Sequence, residues 1–214
     1  MTEAEWLACD DLTPMLARLR ARAKSESGKR KLRLFAVGCC RCIWAKLRDE
    51  RSRKAVEVAE RIADGLASPQ EWAHAIEGVR KAREQGGDDY CTPRHMYAEV
   101  CLSDNEWSVA SSFCFWDEPD DRSGPAPIAI LRDVFGNPFR PPRRPERSLL
   151  TWNDGVIPKL AQAIYAERAF ERLPILADAL EDAGCDNGDI LAHCRGPGPH
   201  VRGCWVVDLL VGKG

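Results

Sequence analysis

Between Leu32 and Leu47 the residues Leu32, Phe35, Ala36, Cys39, Cys40, Ile43, Trp44 and Leu47 recur at spacings of three and four. That period belongs to a helix with a broad apolar face, and a face this wide needs other elements to cover it. It places Lys31, Arg33, Arg41, Lys46 and Arg48 mostly on the opposite, solvated side. The neighbouring stretches follow the same rule. Thr2 with Glu5 three residues later has the form of a capping box. Asp11 or Thr13 can cap a second helix with Pro14 in its first turn and Met15, Leu16 and Leu19 as its stripe, and Gly28 is expected to break the chain. A helix from about Ser52 turns Val56, Ala59, Ile62, Ala63 and Leu66 inward. Ser68-Pro69-Gln70-Glu71 opens another, with Trp72, Ala75, Ile76 and Val79 inward, closed by Gly86-Gly87. Helix is also expected within 91–116.

Composition then changes. Seven of the fourteen prolines fall in 119–147, which ends in the run FRPPRRPER, an extended and semi-rigid stretch. Ile128 to Phe135 reads as a short helix inside it. Helical spacing resumes over Val156–Arg168 and Leu173–Ala183, with Gly184 as a C-terminal cap. Asn187 then starts a turn-helix to Cys194, and a last segment runs from Cys204 to Val211. Period-two alternation is confined to Trp205-Val206-Val207. The expected fold is all-α. It comprises an N-terminal helical bundle (1–118), a Pro-rich connection (119–147) and a smaller C-terminal helical unit (148–214).

Charge is balanced overall, at a formal −2, which gives no general attraction to nucleic acid or membrane. Locally it is polarised. Residues 16–54 carry fourteen Lys/Arg against three acids, and 84–121 carry ten acids against Arg94. A basic face for nucleic acid is one reading of 16–54. Mutual neutralisation within the fold is the simpler one. No run approaches the roughly 20 apolar residues of a spanning helix; the longest, Leu34 to Cys40, stops at Arg41. The start MTEAEWLAC lacks the features of a secretory signal. Ten cysteines in such a chain point to a reducing cytoplasm, with thiols free or metal-bound.

The stretches MTEAEWLAC, LFAVGCCRCIW, RDVFGNPFRP and LADALEDAGCDNGDILAHCRGPGPHVRGCWVVDLL together resemble a paralogous family expanded in planctomycete-type bacteria. The likeness covers nearly the whole chain. It implies a bacterial, cytoplasmic protein and carries over no catalytic residue.

The tail holds the densest chemistry. Cys185, Cys194, His200 and Cys204 form C-x8-C-x5-H-x3-C, three thiols and an imidazole that could close a tetrahedral structural zinc site. The spacing lacks a CxxC pair, and buried cysteines pack as small hydrophobes without any metal. Cys39, Cys40 and Cys42 on the helical stripe could contribute across the fold. Cys194 with His200, or Cys91 with His95, could pair as nucleophile and base only through the fold, and Asp189 with His193 has the spacing of a surface pair. Phosphate-binding loops are absent, and the two prolines of Gly196-Pro197-Gly198-Pro199 lack the N–H groups such a loop needs. Trp116 and Trp152 flank the Pro-rich region as candidates for a partner surface. The sequence therefore predicts a non-catalytic protein-interaction or scaffold module with an unidentified protein partner. A structural zinc is the only cofactor considered. Nucleic-acid binding through 16–54 is the alternative, and membrane is not expected.

Overall fold

The structure, a computed structural model, describes residues 1–85, 101–102 and 127–213. Among these residues every regular element is helical. The chain forms two compact units, Met1–Ile130 and Leu131–Gly214. The expectations for Gly86-Gly87, Cys91, His95 and Trp116, and those for 91–116 other than Cys101 and Leu102, lie outside the described residues.

The first unit begins with α1 (Glu3–Ala8) and α2 (Leu12–Leu19). The Thr2–Glu5 capping box is formed in both directions. At α2 the cap is Asp11, whose carboxylate accepts from the Thr13 amide at 2.8 Å. Met15, Leu16 and Leu19 are buried as the stripe requires. The following helix, α3, spans Glu26–Cys42 and differs from expectation at its start. The break lies at Ser25, whose hydroxyl accepts from the Gly28 amide at 3.0 Å. Gly28 is therefore inside the first turn, where a glycine's missing side chain costs little. The helix stops at Cys42, and Trp44–Lys46 continues as a 3-10 turn.

Helix α4 (Glu50–Ala63) packs against both α3 and α5 (Pro69–Gln85). Ser68 caps α5 as expected, and with Glu71 it makes a full capping box. Val56, Ala59, Ala75 and Val79 are buried. Leu66 and Ile76, expected inward, are 62% and 43% exposed: Leu66 lies past the end of α4, where the helical phase no longer holds. Arg33 is buried rather than solvated, its guanidinium 5.4 Å from the Trp72 ring. A long cationic side chain can lie along apolar surface and stack on an aromatic face, so charge alone misplaced it.

The division between the units falls within α6 (Pro127–Phe135). The expected short helix is thus present, and its last turn belongs to the second unit. That unit continues with α7 (Arg147–Thr151), α8 (Val156–Glu167), α9 (Leu173–Asp182), α10 (Gly188–Arg195) and α11 (Trp205–Val211). Trp205-Val206-Val207 is the first turn of α11 and not a strand. Helix α8 packs on α9 and α11, and α9 packs on α10. Ile157, Ile164, Leu173, Leu176, Leu180, Val206 and Val207 form the centre of this core, each burial worth roughly 1.5–3 kcal/mol. Trp152 lies partly buried against that core.

Candidate metal centre

Three local devices aim side chains at one point in the second unit. The first is α6, whose buried stripe includes Ile130, Leu131 and Val134. Asp133 lies on the same short helix and is only 3% exposed. The second is α10, started by Asn187, whose side-chain oxygen accepts from the Asp189 and Ile190 amides at 3.1 and 3.2 Å. Its last turn carries His193. The third is the turn from Gly198 to Cys204, closed by the Cys204 amide on the Val201 carbonyl at 2.9 Å. It carries His200 and Cys204.

Donor atoms from Asp133, His193, His200 and Cys204 all lie within 4.8 Å of one another. Asp133 Oδ1 is 2.7 Å from His200 Nδ1 and 3.1 Å from His193 Nε2. His193 Nε2 is also 3.2 Å from Cys204 Sγ. The rings of His193 and His200 meet edge to face, with centroids 4.9 Å apart. The Asp133 and Cys204 side chains are 2% and 0% exposed, and those of His200 and His193 are 10% and 19%. His200 Nε2 is buried without a hydrogen-bond partner among the described residues.

The electrostatics favour an ionised Asp133. Burial acts to raise its pKa, but hydrogen bonds and charge interactions with His193 and His200 outweigh burial and hold it below the ordinary carboxylate value. Burial and the charge of Asp133 push the Cys204 thiol well up, against the lowering influence of the Val207 and Val206 amides.

This donor set can hold a metal ion. A tetrahedron with bonds of about 2.0–2.3 Å has edges of about 3.3–3.8 Å. Contacts of 2.7 to 3.2 Å, with no pair beyond 4.8 Å, come close to those edges. A carboxylate, a thiolate and two neutral imidazoles would cancel the charge of a divalent cation, which suits a buried place. The arrangement is not suited to relaying a proton. A Cys–His–Asp relay uses the two different nitrogens of one imidazole, whereas Cys204 and Asp133 both approach His193 at Nε2.

Of the four residues picked out in the tail, the fold gathers His200 and Cys204 into this group. Their proximity comes from the turn and not from a helical face, because α11 begins only at Trp205. Cys185 and Cys194 are not among the four convergent residues. Cys185 follows α9, its amide bonded to the Leu180 carbonyl at 2.9 Å while the Gly184 amide bonds that of Glu181. This is a Schellman closure, whose last residue packs back on the helix as an apolar group. Cys194 is fully buried in the same core, and burial pushes its thiol up to about 12. That is the opposite of an activated nucleophile. His193 turns to Asp133 and Cys204 instead of pairing with Asp189.

Asp133 and His193 were outside the proposed ligand set. The available signal was an acid that follows Arg132 in a mostly apolar helical stretch, Ile128 to Phe135, where a buried carboxylate needs partners. In the first unit, the basic stretch spends charge internally: Arg30 pairs with Asp64 at 3.2 Å, Arg41 with Glu60 at 3.0 Å and Arg51 with Asp49 at 2.8 Å. Among the described residues no helix is long and apolar enough to cross a membrane. No protein-family model, curated protein or solved structure matches the chain.

Proposed function

We propose that this chain is a non-catalytic interaction module whose C-terminal unit is closed by a structural zinc ion. The convergence of Asp133, His193, His200 and Cys204 within 4.8 Å is the observation that carries the reading. The ligand atoms are Asp133 Oδ1, His193 Nε2, His200 Nδ1 and Cys204 Sγ. Four protein donors fill a tetrahedral shell and leave no position for water or substrate, which is the pattern of structural zinc. Mixed nitrogen, oxygen and single-sulfur ligation suits zinc better than the all-oxygen shells of magnesium or calcium. Zinc would supply no reaction here. It would join α6 to a segment sixty to seventy residues later in the chain and so stabilise the unit.

The wider role follows from the same division of labour: a metal-closed helical scaffold presents a surface to a protein partner in the bacterial cytoplasm. Membership of the paralogous family that the sequence resembles fits that setting.

The test is elemental analysis of untagged protein purified under reducing conditions without chelator. About one zinc per chain, with a lower melting temperature after chelation, is the expected result. No metal, together with a melting temperature indifferent to added zinc and chelator, would remove the zinc reading. Affinity capture with the intact, metal-loaded chain examines the partner. Recovery of nucleic acid in place of protein would replace the protein-partner reading with the one based on 16–54.

A further inference from the structure

We propose that Cys40 and Cys101, in the first unit, are a disulfide-forming pair that a peroxide-class oxidant closes. Their sulfurs lie 3.5 Å apart. Both residues are fully buried, and they are 61 positions apart in sequence. A disulfide has a sulfur–sulfur bond of about 2.05 Å, so the two atoms need to close by about 1.5 Å. Side-chain rotation can supply a movement of that size.

The gathering of metal donors seen in the second unit does not recur around Cys40 and Cys101 among the described residues. Cys39 shares α3 with Cys40 and is also buried, whereas Cys42 is partly exposed at the end of that helix. Cys39 and Cys42 are close enough to interact electrostatically with Cys40, and the 3.5 Å sulfur contact with Cys101 is made by Cys40. Burial, followed by the contact with Cys101, pushes the Cys40 thiol well up. Thiolate is therefore scarce in the closed fold, and oxidation of the pair requires local opening. Hydrogen peroxide is small enough to reach it during local opening.

One of the two sulfurs, as thiolate, attacks the peroxide O–O bond and takes one oxygen as sulfenic acid. The departing hydroxide takes up the thiol proton and leaves as water. The other sulfur then attacks the sulfenic sulfur, forms the S–S bond and expels hydroxide, which leaves as a second water with the second thiol proton. Two thiols are oxidised by one peroxide, and two waters form.

The experiment treats the full chain with hydrogen peroxide, quenches it, and alkylates under denaturing conditions before digestion. A linked peptide joining Cys40 to Cys101 is expected. The intact mass should fall by about 2 Da and eight of the ten thiols should still alkylate; dithiothreitol should restore all ten. Retention of all ten thiols after treatment overturns the proposal, and so does a link that uses Cys39, Cys42 or another cysteine in place of either member. Cys39→Ser and Cys42→Ser are expected to keep the Cys40–Cys101 link, while Cys101→Ser should abolish it. The wild-type digest decides the matter even if Cys101→Ser fails to fold.

Discussion

The backbone N–H of Val201 donates to Oδ2 of Asp133 at 2.9 Å. That one bond fixes the carboxylate so that Oδ1 is turned to His200, at 2.7 Å, and to His193, at 3.1 Å. The residue that follows His200 in the chain thus orients the acid that His200 contacts. Second-layer hydrogen bonds of this kind hold metal ligands in register and strongly affect affinity.

Asp133→Asn tests the relationship with little change in volume. The amide keeps an oxygen but loses the charge that two imidazoles and a divalent cation require. Zinc content should fall from about one per chain toward zero. The metal-free protein should also lose about 2–3 kcal/mol, the usual worth of hydrogen bonds to a buried charge. Asp189→Asn, on the exposed side of α10, should leave both quantities unchanged. Equal zinc content in Asp133→Asn and wild type would show that the carboxylate is not a ligand.

Asn187 acts at one remove. It caps the helix that carries His193, through two amides, and removing such a cap costs about 1 kcal/mol. Asn187→Ala should therefore lower the denaturant midpoint. If the frayed helix releases His193, zinc affinity should weaken by up to about fivefold. Competition with a chromophoric chelator measures that change directly. An affinity equal to wild type, with the expected stability loss, would mean that α10 is held by its packing on α9 alone.

Gly198 sits beside His200 in a conformation open to few other residues. Its φ is +81°, and a Cβ placed there would lie 3.1 Å from the His200 backbone nitrogen. Gly198→Ala should cost about 1–2 kcal/mol from the left-handed backbone alone, and the displaced turn should weaken zinc binding. Gly188→Ala is the contrast. A Cβ there meets nothing within 4 Å, and the residue lies in a helix, so stability should hold or rise by about 0.5–1 kcal/mol.

Local signals were the legible part of this fold. The pairs Thr2 with Glu5 and Ser68 with Glu71, and the cap at Asn187, each act within three residues, so the sequence displays both partners side by side. The apolar stripes of α2 and α3 were readable for the same reason. Gly28 and Arg33 were misread because each was judged by type alone: Gly28 fits a first helical turn, and Arg33 is covered through Trp72, which lies on another helix. The metal group was half legible. His200 and Cys204 are four residues apart, but Asp133 contacts His200 across 67 positions. Nothing in spacing or composition encodes that meeting. It is set by how α6 folds onto the tail, which is a property of core packing and not of local pattern.

Buried thiols give the last prediction, a decline in stability on the alkaline side. Burial raises the pKa of Cys39 and Cys40 well above the ordinary value, and that of Cys194 from 9.0 to about 12. A raised folded-state pKa means that the unfolded chain releases its proton first. The stabilisation is complete below the unfolded value and is lost as pH rises toward the folded one. For Cys194 the window runs from 9.0 to about 12. Within it each such thiol can remove up to about 1.4 kcal/mol per pH unit. Urea unfolding of reduced protein at pH 8, 9 and 10 should show a falling free energy, and Cys194→Ala should flatten the fall, whatever its effect at pH 8. The same burial predicts slow native alkylation at Cys39, Cys40 and Cys194, while the partly exposed Cys9 and Cys42 react first. Rapid labelling of Cys194 in the folded protein would show that α10 opens far more readily than its burial implies.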